Sequence, residues 1–246
     1  MKPIHNIFLE STDSTNNYVK QHLSSYSENK IYCVTAQEQT AGRGRFAKTW
    51  VSPKGENIYA SLYFTIGKDY PYLQNLSQIL AISCAEVFHK FSIPAKLKWP
   101  NDILVHKKKI AGILTETISF EEKIGVILGI GVNINMSEKT MKSISQPATS
   151  LKCETGKKYD VRIIWEQIIG KFLENLALLE LNGFHSFSKF YTENLAFQGE
   201  KIRVSHGNKI VEGICKKITL EGTLLLVDDY QNVIEVSTGE LSEPSI

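Results

Sequence analysis

The sequence lacks the marks of several large protein classes. Its four cysteines, Cys33, Cys84, Cys153 and Cys215, are widely scattered and form no CxxC. That leaves no zinc ribbon and no dithiol redox motif, and such thiols read as buried and reduced. The six histidines make no HExxH and accompany no cysteine pair, so a structural zinc has no ligand set. Charge of one sign is also missing: 28 Lys and Arg stand against 26 Asp and Glu, a net charge of +2. A dedicated nucleic-acid binder carries a marked basic excess. The longest uncharged run, residues 70–85, contains Gln, Asn and Ser and is too short to cross a bilayer. Residues 1–10 hold no apolar signal-peptide core, so a cytoplasmic protein without a membrane partner is expected. No internal repeat is present.

What remains is an ordinary globular composition over 246 residues, enough for one large domain or a large and a small one. Asp13-Ser14-Thr15 precedes a short helical stretch at 16–23, and residues 31–37 are strand-like. Residues 58–66 alternate, with Ile58, Ala60, Leu62, Phe64 and Ile66 on one face and Tyr59, Ser61, Tyr63 and Thr65 on the other, which predicts a half-buried strand. Leu73, Leu76, Leu80, Cys84, Val87 and Phe91 recur every three or four residues, the stripe of an amphipathic helix over 72–91. Strands are predicted near 110–118 and 124–130. Asp160 is placed to cap a helix carrying Trp165, Ile168, Phe172, Leu176 and Leu179 on one stripe, and a further helix is predicted over 183–194. After Phe197-Gln198-Gly199 only short β-type runs follow, at 201–205, 210–218, 223–227 and 232–236, separated by turn residues. A catalytic domain at 1–197 and a small β-barrel at 198–246 are therefore expected.

Four stretches are poorly suited to simple packing. In Gly42-Arg43-Gly44-Arg45, glycines interleave with arginines, and no acid occurs before Lys54. Glycine lets backbone N–H groups approach an anion, and the arginine fork grips phosphate or carboxylate. A solvated flexible loop has the same composition. Lys98-Trp99-Pro100-Asn101-Asp102 places an amide and a carboxylate at a bend, where they could hold a ribose or a metal. Lys107 and Lys108 read as a hairpin tip. Lys109 borders Ile110-Ala111-Gly112, so its stem can pack while its ammonium enters a pocket. Gly129-Ile130-Gly131-Val132-Asn133 is not a dinucleotide fingerprint, because Ile134 stands where a third glycine would and no helix follows. Its glycines mark a strand approached closely by a ligand or another backbone, with Asn133 as a polar candidate. Asp13-Ser14-Thr15-Asn16 is either a plain helix cap or a helix start offered to a polar ligand.

In order and spacing these stretches resemble the biotin protein ligases, the biotin–[acetyl-CoA-carboxylase] ligase family. The matching elements are Asp13-Ser14-Thr15-Asn16, Gly42-Arg43-Gly44-Arg45 with Trp50 and Ser52-Pro53, Lys98-Trp99-Pro100-Asn101-Asp102, Lys109-Ile110-Ala111-Gly112 and Gly129-Ile130-Gly131-Val132-Asn133. They span about residues 11–135, and the stretch 136–198 carries no matching motif. The resemblance implies an α+β fold. Its core is a mixed sheet flanked by helices, related to the class II aminoacyl-tRNA synthetase and biotin/lipoate ligase cores, and a small SH3-like β-barrel follows at the C-terminus. Because the first motif begins at residue 13, a monofunctional ligase with no DNA partner is expected. Where members of the family often continue the loop with a variable residue, Gly and Arg, this chain has Phe46, Ala47 and Lys48.

The resemblance further implies ATP, Mg²⁺ and biotin as reactants, and a biotin carboxyl carrier domain as acceptor. It leaves monomer and homodimer both open. By it, Ser14, Thr15 and Gln39 meet the ureido ring of biotin, and Asn16 is a further biotin-binding residue. Gly42, Arg43, Gly44 and Arg45 lie over the adenylate, and the loop closes on the intermediate. Lys109 contacts the carboxylate and α-phosphate. Gly112 passes the valeryl tail, and Gly129, Gly131 and Asn133 complete the floor. Arg45, Trp50, Asn101, Asp102, Lys109 and Asn133 serve the nucleotide, with Asp102 as a metal candidate, and Lys109, Arg43 and Arg45 are the catalytic cations. The competing readings are a lipoate or octanoate ligase or transferase, whose Arg-Arg-x-x-Gly-Gly-Gly stretch is missing here, and a non-catalytic nucleic-acid or adaptor protein.

Overall fold

The computed structural model describes residues 2–242, with the backbone alone at residue 47. In chain order the elements are β1 (Ile4–Thr12), α1 (Thr15–Gln21), β2 (Ile31–Gln39), β3 (Ile58–Gly67), α2 (Leu76–Lys90), β4 (Lys96–Lys98), β5 (Asp102–Val105), β6 (Lys108–Ser119) and β7 (Lys123–Val132). Then follow α3 (Glu138–Lys142), α4 (Leu151–Thr155), α5 (Val161–Asn182), α6 (His185–Glu193), β8 (Lys201–His206), β9 (Lys209–Ile218), β10 (Leu224–Val227), β11 (Val233–Val236) and β12 (Glu240–Ser242). The chain divides into two units, residues 1–73 with 108–169 and residues 74–107 with 170–246. The boundary expected near 197 falls inside the second unit, and residues 243–246 of the expected C-terminal domain lie outside the described residues.

In the first unit the strands run β1-β2-β3-β7-β6. β1 pairs parallel to β2, with Ile4 beside Ile31, and the remaining neighbours are antiparallel, so the sheet is mixed. α1 lies on one face. There Val19 meets Tyr32, Val34, Tyr63 and Ile127, with Tyr18 and Tyr26 packed at the margin. This corrects the expectation for β3. A strand with one solvated face is predicted from 58–66, but Ile58 to Thr65 are all buried. β3 lies between β2 and β7 and both its faces are covered. Alternation of tyrosine and small polar residues with aliphatics therefore records two different packings. β1 has no clear signature because it is an edge strand, largely exposed, and takes its register from β2.

The second unit opens with α2, whose residues 78–85 are all buried. Asn175 of α5 donates to Ser83 Oγ at 3.0 Å and to Glu86 Oε2 at 2.7 Å, tying two helices through one amide. β4 and β5 pair antiparallel, with Lys98 beside Asp102. Five antiparallel strands follow in the order β11-β10-β9-β8-β12, the small C-terminal β-sheet predicted from the turn spacing. The tight turn at Gly222 joins the parts of this unit: its carbonyl accepts from Trp99 Nε1 at 3.1 Å and from Gln78 Nε2 at 2.6 Å.

α5 begins as its cap predicts. Asp160 Oδ1 accepts from the backbone N–H of Arg162 at 2.8 Å and of Ile163 at 3.3 Å. Trp165, Ile168, Phe172, Leu176 and Leu179 are all buried. All four cysteines are free thiols. Among the described residues no helix is long and apolar enough to cross a membrane.

Candidate active site

Glycines thin the middle of the first unit's sheet. Ser61, Gly129 and Leu114 lie abreast across β3, β7 and β6, and so do Tyr59, Gly131 and Gly112. A Cβ at Gly129 would overlap the Asn16 carboxamide, and one at Gly131 would overlap the Trp50 indole. Only glycine allows both side chains to sit so low on the strand.

A polar row lies over this trough. The backbone N–H of Thr15 donates to Gln39 Oε1 at 2.9 Å, and Gln39 Nε2 donates to Ser52 Oγ at 3.1 Å. Ser61 Oγ is 2.7 Å from Thr15 Oγ1 and 2.5 Å from Asn16 Oδ1. Ser14, Thr15, Asn16 and Ser61 are all buried, so these polar atoms need one another or a ligand. Ser14 holds the N-cap position of α1, yet its side chain makes no capping bond. Asp13 takes part of that work, accepting from Ser14 N–H at 2.6 Å and from Asn17 Nδ2 at 2.7 Å. The Asn17 bond holds the Asp13 carboxyl below its ordinary pKa, against a smaller opposing effect of burial.

Glu116 of β6 stands behind the row. Its Oε2 accepts from Asn16 Nδ2 at 2.9 Å, and its Oε1 pairs with Lys20 Nζ at 2.7 Å. Arg43 lies 3.8 Å from Oε2 and also donates to Asn17 Oδ1. Burial pushes the Glu116 carboxyl up, but the bonds from Lys20 and Asn16 and the charges of Lys20 and Arg43 outweigh it, and the pKa is lowered.

The Gly42–Arg45 segment forms one arm of a small irregular hairpin. Trp50 N–H donates to Gly42 O at 2.9 Å, Gly44 N–H to Lys48 O at 2.7 Å, and Lys48 N–H to Arg45 O at 3.2 Å. At its tip Phe46 takes a positive φ of 54°, a conformation that disfavours a bulky residue. The loop thus places left-handed backbone on an exposed phenylalanine at the family's variable position, with the Arg45 guanidinium 5.0 Å from the centre of its ring.

Beside the hairpin lies a small open cleft, lined by Thr49, Trp50, Lys109, Asn133, Gln146 and Ala148 among others. The backbone fixes Lys109 in place: its N–H donates to Pro147 O and its carbonyl accepts from Thr149 N–H, each at 2.9 Å. Its ammonium lies 5.5 Å from the centre of the Trp50 ring, a cation–π distance. Trp50 Nε1 is buried without a hydrogen-bond partner. Asn133 lines the cleft, but its amide faces the protein, donating to Thr149 O at 3.0 Å and accepting from Asn57 Nδ2 at 3.5 Å.

The first unit therefore brings together Ser14, Thr15, Asn16, Gln39, Gly42, Arg43, Trp50, Lys109, Gly112, Gly129, Gly131 and Asn133. Asn101 and Asp102 belong to the second unit, where Asn101 is buried in the turn before β5 and Asp102 opens that strand. Among the described residues, no group of three His, Cys, Asp or Glu side chains could hold a metal ion alone. Mg²⁺ needs no such cage, since it is usually held by one or two carboxylates together with substrate phosphates. Ser61 and Glu116 were not expected, and Ser52 was read only as part of the motif after Trp50. Glu116 had a signal, the lone acid of β6, whereas Ser61 looked like a solvent-facing position.

Comparison with known proteins agrees with this geometry. Residues 8–133 match the Biotin/lipoate A/B protein ligase family. The bifunctional ligase/repressor BirA of Salmonella typhimurium is 31% identical over 219 residues, covering 88% of this chain and 68% of that protein. A biotin–[acetyl-CoA-carboxylase] ligase of Paracoccus denitrificans is 30% identical over 224 residues, covering 89% of this chain and 92% of that protein. The biotin protein ligase of Aquifex aeolicus, solved in complex with biotin and ATP, superposes with a TM-score of 0.82 at 28% identity, covering 98% of each chain. With residues 8–133 matching the family and its relatives matched along most of its length, the chain belongs to the biotin/lipoate A/B protein ligase family.

Proposed function

We propose that this chain is a biotin–[acetyl-CoA-carboxylase] ligase that uses ATP to attach biotin to a lysine of a biotin carboxyl carrier domain. The observation that carries this reading is the trough itself: a buried row of hydroxyls and amides over bare glycines, beside a cleft walled by Lys109. The row suits the ureido ring of biotin, and the lysine suits the carboxylate at the other end of the molecule.

The chemistry has two steps. The biotin carboxylate attacks the α-phosphorus of ATP, forming a C–O–P anhydride and releasing pyrophosphate. The acceptor amine then attacks the acyl carbon, forming an amide and expelling AMP. The first nucleophile is already an anion, so no general base is required. The protein's task is to bring two anions together and to neutralise the charge that builds on phosphorus. Lys109 meets the carboxylate and α-phosphate, and Arg43 and Arg45 cover the adenylate from the hairpin. Trp50 and Asn133 shape the nucleotide side. Mg²⁺ would enter with the phosphates of ATP and add positive charge there. Residues 1–197 form the catalytic domain in this reading, and residues 198–246 the SH3-like domain.

ATP–pyrophosphate exchange driven by biotin, run beside lipoate and octanoate, tests the proposal. Exchange with biotin alone is expected. Exchange with lipoate or octanoate instead would keep the chemistry and overturn the assignment of the row, and no exchange with any of the three acids would overturn the enzyme reading.

A further inference from the structure

The hydrogen bonds above the glycine trough run in one direction, and Glu116 sets it. A carboxylate only accepts, so the Asn16 amide must turn Nδ2 to Glu116 Oε2, 2.9 Å away, and to Leu114 O at 3.4 Å. Asn16 Oδ1 then faces Ser61, whose hydroxyl must donate across 2.5 Å. A hydroxyl has one proton, so once Ser61 donates to Asn16 it cannot also donate to Thr15 Oγ1, 2.7 Å away, and the Thr15 proton goes to Ser61 Oγ or to Gln39 Oε1 at 3.3 Å. The Thr15 oxygen is left with lone pairs alone for anything bound above it. With the amide reversed, Nδ2 would donate to Ser61 and Ser61 to Thr15 Oγ1, and the Thr15 proton would be shared between Gln39 Oε1, at a long 3.3 Å, and anything bound above it.

Charge holds Glu116 in this role. Lys20 Nζ lies 2.7 Å from Oε1 and Arg43 3.8 Å from Oε2. The side chain of Glu116 is only 23% exposed, so these contacts and Asn16 satisfy most of its capacity to accept.

We infer that Glu116 is a positioning residue for the acid substrate: by fixing the orientation of the Asn16 amide, it makes the Thr15 hydroxyl an acceptor for a ring N–H and so favours a cyclic urea. The inference rests on the reading that Thr15 meets the ureido ring of biotin.

The test is a four-protein cycle in biotin-dependent ATP–pyrophosphate exchange: wild type, Glu116→Gln, Asn16→Asp and the double variant. Glu116→Gln frees the amide to take either orientation and should raise the KM for biotin about tenfold, with kcat changed less than about threefold. Asn16→Asp sets two carboxylates against each other and should be at least as damaging. In the double variant an acceptor-only group again faces Ser61 while the new amide at 116 can donate to it. The KM should then return to within about threefold of wild type, a rescue that loss of packing alone would not produce. An unchanged KM in Glu116→Gln, or effects that simply add in the double variant, would overturn the inference while wild-type exchange left the functional reading intact. If Asn16→Asp alone fails to fold, Glu116→Gln and the double variant still decide, since equal KM values overturn it. A wild type without biotin-dependent exchange overturns the functional reading and this inference with it.

Discussion

The indole of Trp50 rests on the bare backbone of Gly131, with the ammonium of Lys109 5.5 Å from the ring centre. Three motifs far apart in the chain meet at that point: the Gly42–Trp50 hairpin, the start of β6 and the end of β7. The buried indole N–H has no acceptor there, an arrangement that costs about 1–3 kcal/mol and makes the ring easy to displace.

Trp50 should therefore report ligand binding. Addition of biotin and ATP is expected to change the tryptophan fluorescence of the wild type, and Trp50→Phe should abolish the change. Trp99 and Trp165, buried at 1% and 9% exposure, serve as the constant background. An equal change in Trp50→Phe would place the moving indole elsewhere.

Lys109→Ala should slow adenylation by roughly 10²–10³-fold, the loss of about 3–4 kcal/mol from one preorganised charge at a reacting phosphate. Its melting temperature should stay near that of the wild type, because the backbone of Lys109 and not its ammonium holds the 147–149 segment. A rate loss under about threefold would show that the ammonium does not meet the reacting groups.

Gly222→Ala tests the second unit. Gly222 has a φ of +92°, and an added Cβ would overlap the amides of Asn75 and Gln78. Left-handed strain and the displaced amides together should lower stability by about 2–4 kcal/mol, read by thermal or urea unfolding. A shift within error would mean that the turn relaxes without disturbing Trp99.

The thiols should differ sharply in reactivity. Burial pushes Cys33 up to about 11 and Cys215 up to about 12, and raises Cys84 as well. Cys153 is only partly buried. Native protein at neutral pH should take up about one equivalent of a thiol reagent, at Cys153, and denatured protein about four. Rapid labelling of Cys33 in the native state would contradict its burial.

Acid should weaken the α1 end of the site first. Asp13 and Glu116 both have carboxyl pKa values lowered on folding. The stability they contribute is present above the ordinary carboxylate pKa, about 4, and is lost as pH falls through the folded values. Asp13→Asn should flatten the stability profile on the acid side of that range relative to wild type, measured by urea unfolding at stepped pH. A parallel profile would mean that Asp13 titrates alike in both states.

Much of this protein was legible in its sequence because local chemistry constrains local structure. The helix stripe beginning at Trp165, the Asp160 cap and the turn-separated strands after Gly199 each depend on neighbours within a few residues, and each forms where the spacing predicts it, whereas the helix expected over 72–91 starts at Leu76 and is buried nearly all round. The ligand-binding motifs were legible for a related reason. Gly129, Gly131 and the Gly-Arg alternation are residues that packing alone would not select.

Tertiary structure decided the rest, because it sets which groups face one another across the sheet. β1 is a strand because β2 gives it a partner, and the tyrosine face of β3 is buried because α1 covers it. Ser61 and Glu116 are separated in the chain from Thr15 and Asn16, and no local pattern ties them together. Only the register that sets Ser61 beside Gly129, with Leu114 on the other side, leaves room for Asn16 between the serine and the glutamate. Sequence determined which chemical groups the site contains. The fold determined the direction of the hydrogen bonds among them, since that direction depends on which acceptor lies behind each amide and not on the order of residues.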